Sequence, residues 1–126
     1  MTWTITADKP VYLQLIEQLE QAIVAGEAAA GSKLASVREL ATEAGVNPNT
    51  MQKAMQELEN KGLIITQRTA GRTVTEDEDM IQTARKQLAQ EEMVRFLEKM
   101  HHLGFTTQEL IQFLQTEGEK NVDTAM

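Results

Sequence analysis

Between Asn47 and Lys53 the chain reads Asn-Pro-Asn-Thr-Met-Gln-Lys, a run dominated by side chains that donate and accept hydrogen bonds. Asn49, Thr50, Gln52 and Lys53 are of the types that bond base edges and phosphate oxygens. Upstream, Ser36 and Arg38 stand together, and downstream Arg68 and Arg72 bracket a Thr69-Ala70-Gly71 turn. A guanidinium offers a planar fork of donors suited to an oxyanion. The chemistry open to such a set is the recognition of a polyanion.

Bond-making chemistry finds no comparable set. The 126 residues include no Cys, which removes thiolate metal sites, iron–sulfur clusters and thiol nucleophiles together and points to a reducing compartment. The two His are neighbours, His101 and His102, and adjacent residues do not face one metal on a helix. No spacing supports a Ser/His/Asp arrangement, a phosphate-cradling glycine loop or a His/Glu metal motif. We therefore expect neither an enzyme nor a cofactor.

The formal charge of −7 at first argues against a polyanionic partner, but its distribution does not. Residues 33–72 hold six basic side chains (Lys33, Arg38, Lys53, Lys61, Arg68, Arg72) against four acidic ones, a local +2. Residues 76–126 hold five basic and eleven acidic, a local −6. Such asymmetry suits a nucleic-acid-binding half joined to a half with another task.

The length is that of one small domain with an appendage, and 41% hydrophobic with 25% charged residues is globular composition. No apolar run approaches the roughly 18 residues of a membrane span. Met1-Thr2-Trp3-Thr4 has neither the basic nor the apolar region of a signal peptide, so a cytoplasmic location is expected.

Local signals lay out the elements that must position the polar set. Pro10 suits the first position of a helix, with Asp8 as its cap, and Tyr12, Ile16, Leu19 and Ile23 give that helix one apolar face. Gly26 ends it. Ser36 to Glu39 reads as a capping box opening a short second helix, in which the Ser bonds forward and the Glu bonds back, and Gly45 stops it. Asn47-Pro48 starts a third helix whose buried face is Met51, Ala54, Met55 and Leu58. Lys61-Gly62 closes it.

The period then changes. Leu63–Arg68 and Arg72–Thr75 read as two strands around the Thr69-Ala70-Gly71 turn. The acidic run Glu76–Asp79 suits a helix start. A long helix follows from Met80 to His102, with apolar edges Ile81, Ala84, Leu88, Val94 and Leu97, and Met93, Phe96 and Met100 beside them. Thr106–Glu109 is a second capping box opening a last helix through Leu110, Ile111, Phe113 and Leu114. Beyond Gly118 a frayed tail is expected.

Three helices and a two-stranded ribbon, in that order, make a winged helix-turn-helix. The expected fold is mainly α with a small β-wing, and the expected division is residues 1–75 for the winged motif and 76–126 for a two-helix dimerisation segment. The short Gly45-Val46 connection forces the second and third helices to cross steeply, so that the third projects. A basic hairpin beside it can reach the minor groove or flanking phosphates.

At these residues the chain resembles the DNA-binding domain of GntR-type bacterial transcription regulators. The stretches that carry the resemblance run from Pro10 to Val74: Tyr12-Leu13-Gln14-Leu15-Ile16, Ile23-Val24-Ala25-Gly26-Glu27, Gly31-Ser32-Lys33-Leu34, Ser36-Val37-Arg38-Glu39-Leu40-Ala41, Val46-Asn47-Pro48-Asn49-Thr50-Met51, and Glu57 to Ile64. The short acidic tail resembles the YtrA-type subfamily. Three departures stand out. Ala30-Gly31 and Leu34-Ala35-Ser36 replace proline-containing pairs of the family, and the wing keeps one glycine, Gly71, where the family has two.

The resemblance implies double-stranded DNA as partner, with Arg38, Asn49, Thr50 and Arg68 at contact positions. Gln52 stands where many relatives carry Arg, and suits adenine or a phosphate. Arg72 is a substitute phosphate contact in the altered wing. Each residue also has a plainer role: Ser36 and Asn47 as helix caps, Arg38 in a surface ion pair, Lys53 as a solvated lysine, the methionines as core filler, His101 and His102 at a helix end. The two apolar edges of the C-terminal helices are more than an appendage can bury alone, so a homodimer held by those helices is expected, and with it a repressor on a pseudo-palindromic operator. The resemblance further implies a place near transporter genes and a small-molecule effector that the sequence does not identify. The alternative is a winged-helix protein–protein adaptor, which would present apolar side chains at positions 49, 52 and 53.

Overall fold

Ser36 adopts extended backbone angles and its hydroxyl oxygen accepts the Glu39 N–H at 3.1 Å, which starts helix α2 (Val37–Ala44). The Glu39 carboxylate does not return to the Ser36 N–H. It accepts the Ser36 hydroxyl proton at 3.1 Å instead, so half of the expected box forms. In the computed structural model, which describes residues 1–125, with side chains through Lys120, α2 follows α1 (Val11–Val24) and precedes α3 (Pro48–Asn60). Then come strands β1 (Ile64–Gln67) and β2 (Gly71–Val74), and helices α4 (Glu78–His102) and α5 (Thr107–Ala125).

The start of α1 differs from expectation. Pro10 is the residue before the helix rather than its first member, and it provides no side-chain cap. Asp8 does not cap either. Its carboxylate accepts the Thr6 hydroxyl, and that bond holds the Asp8 carboxyl below the ordinary range. The α2–α3 turn is as expected. Gly45 takes the left-handed φ of 70° that closes α2, and Asn47 Oδ1 accepts the Asn49 N–H at 2.8 Å to open α3 on Pro48.

The chain divides into two compact units, Met1–Lys86 and Gln87 onward. The winged motif ends near residue 75, but the first unit runs further, because Ile81 joins its core and Ala84 packs against it. That core is built from Leu15, Leu19 and Ile23 of α1, Leu40 of α2, Met51, Met55 and Leu58 of α3, and Ile64 and Val74 of the wing. The strands pair antiparallel, Ile64 with Val74 and Gln67 with Gly71. The loop before α2 adds a third rail: Lys33 bridges Thr73, Leu34 N–H donates to the Arg72 carbonyl at 2.9 Å, and Val74 N–H donates to the Ser32 carbonyl at 2.9 Å. The periodicity of residues 27–35 gave no sign of this, since an edge rail needs backbone and not a side-chain pattern.

The second unit holds the rest of α4 and α5. Here the capping box is complete: Glu109 N–H donates to the Thr106 hydroxyl at 3.1 Å, and Thr106 N–H donates to the Glu109 carboxylate at 3.0 Å. Phe105 meets Phe113 edge to face at 6.0 Å, and Leu110 is buried. The expected fray beyond Gly118 is corrected, because α5 continues to Ala125. One glycine costs a helix interior only about 1 kcal/mol, which flanking helix formers absorb. Met93, Val94, Phe96, Ile111, Phe113 and Leu114 remain exposed. No helix among the described residues is long and apolar enough to cross a membrane.

Candidate nucleic-acid interface

Helix α3 turns its apolar face fully inward. Met51, Ala54, Met55 and Leu58 are all buried. The opposite stripe follows from helical spacing: Asn49, Gln52 and Lys53 are exposed, and Thr50 is half-buried beside them. Gln56 extends the stripe and donates to Asn60 Oδ1 at 3.2 Å. Sequence reasoning passed over Gln56, although its spacing from Asn49 and Gln52 was the available signal.

The caps are where they were expected. The Ser36 and Asn47 side chains each bond the backbone of the helix they open, and both residues remain exposed. Arg38 lies in the first turn of α2 and is exposed. At the wing, Arg68 is exposed beyond the last paired rung, and Gly71 takes a φ of 74° that lets the tip reverse.

Arg72 has a partner within the fold. Its side chain lies back against α3, with Nε 3.8 Å from Glu59 Oε2. Lys61 is likewise engaged, 3.3 Å from the buried Glu20 of α1. The remaining basic residues of the 33–72 segment, namely Lys33, Arg38, Lys53 and Arg68, are exposed and make no ion pair among the described residues. The surface ion pair that was the plainer reading of Arg38 does not form. The β-bridge to Thr73 places Lys33 on the wing's inner rail, beside a cleft of about 720 Å³ bordered also by Ser36, Met55, Thr66 and Gly71.

Exposed cations without ion pairs can neutralise phosphates, and the polar stripe of α3 can read base edges. No cluster of three or more metal-ligating side chains occurs among the described residues. Fold and site together define a winged helix-turn-helix protein.

Comparison with known proteins agrees. Residues 11–74 match the model of "Bacterial regulatory proteins, gntR family". Among curated relatives, the uncharacterized HTH-type transcriptional regulator YhcF of Bacillus subtilis is 34% identical, over 87% of this chain and 91% of that one. The HTH-type transcriptional repressor YtrA of the same organism is 33% identical, over 84% and 82%. Among solved structures, a GntR family transcriptional regulator from Listeria monocytogenes superposes with a TM-score of 0.82 at 37% identity, covering 89% of this chain and 98% of that one. The DNA-binding domain of AraR, solved with operator ORX1, gives a TM-score of 0.53 at 25% identity, over 57% and 93%. The chain belongs to the GntR family of DNA-binding transcriptional regulators.

Proposed function

We propose that this chain is a homodimeric repressor that reads a pseudo-palindromic operator. The first turns of α3 enter the major groove, and Asn49, Thr50, Gln52 and Lys53 face base edges and phosphates there. Ser36, Arg38 and Asn47 sit at helix starts against the backbone. Arg68 and Gly71 bring the wing tip to the flank. The observation that carries this reading is the state of the cations: in a chain of net charge −7, four basic residues between 33 and 72 are exposed and, among the described residues, without an ion pair. The polar α3 stripe disfavours the adaptor reading, which needs apolar side chains at Asn49, Gln52 and Lys53.

The repressor sense is supported by the relative YtrA, named as a repressor, and the DNA partner by the AraR domain solved on its operator. The dimer rests on the second unit, where Met93, Val94, Phe96, Ile111, Phe113 and Leu114 are exposed. Apolar surface of that extent on a small unit marks an interface. A two-fold dimer requires two half-sites.

Selection of binding sites from a random duplex library, followed by footprinting, tests the reading. Two inverted half-sites with centres separated by whole turns, about 10 base pairs each, are expected. Failure to enrich any duplex overturns the reading.

A further inference from the structure

Glu59 lies in the last turn of α3, on the helix that carries the recognition stripe but at its far end. Its Oε1 accepts the Thr66 hydroxyl, and its Oε2 faces Arg72 Nε at 3.8 Å. Thr66 and Arg72 are direct cross-strand partners. One carboxylate therefore meets both strands of the wing at a single rung. The rung lies two residues beyond Ile64 and Val74, the wing's core residues, and one before the tip.

The two strands are held differently at this level. The backbone of β2 is tied to residues 32–34. β1 forms the other edge, and the Thr66 hydroxyl is its side-chain hydrogen bond to a helix among the described residues. Arg72 is mostly covered, with its side chain 20% exposed; its Nε is buried without a hydrogen-bond partner among the described residues, and the Glu59 carboxylate 3.8 Å away is its ion-pair partner. The side chain so placed spans wing and helix while still bordering the cleft that Lys33 and Ser36 line.

We propose that Glu59 is a positioning residue for DNA recognition: by accepting Thr66 and pairing with Arg72 at one rung, it sets the wing at a fixed place relative to α3, so that Arg72 acts as a brace and not as a phosphate ligand. The inference rests on the DNA-binding reading above. Its content is the sign of an effect. A carboxylate in the basic segment repels phosphate, so on charge alone its removal strengthens binding, and more so if Arg72 is freed to reach the backbone. A brace has the opposite sign.

The test uses the full-length protein and a duplex from the selection. Glu59→Gln, Arg72→Gln and the double variant are compared by affinity and by hydroxyl-radical footprint. As coupled members of one contact, each single variant should bind roughly 3- to 30-fold more weakly, and the double variant no more than about twofold below the weaker single. The lost footprint should be confined to the flanks, with the centre of each half-site still protected. In the free protein, amides of residues 64–67 and 71–74 should exchange faster in Glu59→Gln while α3 amides keep their protection, which shows that the fold is intact. Tighter binding by Glu59→Gln, multiplicative losses in the double variant, or unchanged wing exchange overturns the proposal while leaving the DNA reading standing. If the wild-type protein enriches no duplex, the DNA reading itself falls, and this proposal with it.

Discussion

Gln14 faces Thr6 with both ends of its amide: Nε2 donates to the Thr6 carbonyl at 2.8 Å, and Oε1 accepts the Thr6 N–H at 2.8 Å. Gln18, one helical turn on, does the same to Thr4, at 2.6 Å and 2.9 Å. Alternate residues of an extended segment and every fourth residue of a helix recur at nearly the same distance, about 6 to 7 Å. Two glutamine amides on α1 thus stand in for a neighbouring strand and tie down residues that would otherwise fray. Gln14 also donates to the Lys9 carbonyl at 2.9 Å and is only 4% exposed.

Gln14→Ala should therefore destabilise the first unit by about 1–3 kcal/mol, since it removes a buried side chain with several hydrogen bonds. Urea unfolding reads the loss. Gln14→Glu should be no better, because a carboxylate cannot donate to the Thr6 and Lys9 carbonyls. Full stability in both variants would show that the segment is held by Trp3 and Ile5 alone.

The clamp also shows where the sequence was legible. Helix faces and stops were, because apolar spacing and glycine placement are local signals: Leu19, Ile23, Met51, Met55 and Leu58 are buried as expected, and Gly45 closes α2. The glutamine clamp was not, since it joins a polar helix position to a segment without periodicity. The helix beyond Gly118 was not legible, because one glycine is a strong local stop signal while the helix-forming neighbours that outweigh it act only in sum. At the site, the polar stripe of α3 and the exposure of Arg38 and Arg68 could be read from spacing. The fate of Arg72 could not, because its partner Glu59 lies on α3, beyond the wing tip and the whole of β1, and no local rule couples those positions.

Arg38→Ala should weaken operator binding without altering stability. The side chain is exposed and has no ion pair to lose among the described residues. Loss of a charge-assisted contact costs roughly 1–3 kcal/mol per subunit. Affinity measured on a selected duplex, beside a urea melt, separates the two quantities. Unchanged affinity at moderate salt would remove Arg38 from the interface.

Leu114→Asp should turn a dimer into a monomer. Leu114 is 51% exposed on α5, so the substitution leaves a monomer's own packing largely untouched. Placed in an apolar interface, the same carboxylate would be stripped of water at a cost of several kcal/mol. Sedimentation equilibrium of the full chain at micromolar concentration gives the answer. A wild-type protein that sediments as a monomer, or a variant that still dimerises, would place the interface away from Leu114.

Salt should separate the residues that neutralise phosphates from those that read bases. Each phosphate neutralised by Lys or Arg releases condensed counterions, which gives a log–log slope of about −0.9 per contact. With roughly three to five such contacts per subunit, a dimer should show a slope on the order of −5 to −9. Lys53 is exposed and free of ion pairs among the described residues, so Lys53→Ala should lower affinity similarly on all duplexes and reduce the slope by about 2 for the dimer. Asn49→Ala carries no charge change. It should leave the slope as it was and cost about 1–3 kcal/mol on the selected site alone, with non-specific binding unaltered. If Lys53→Ala spares the slope while Asn49→Ala weakens every duplex equally, the two side chains have exchanged roles, and the face of α3 that enters the groove is rotated from the one bearing Asn49 and Gln52.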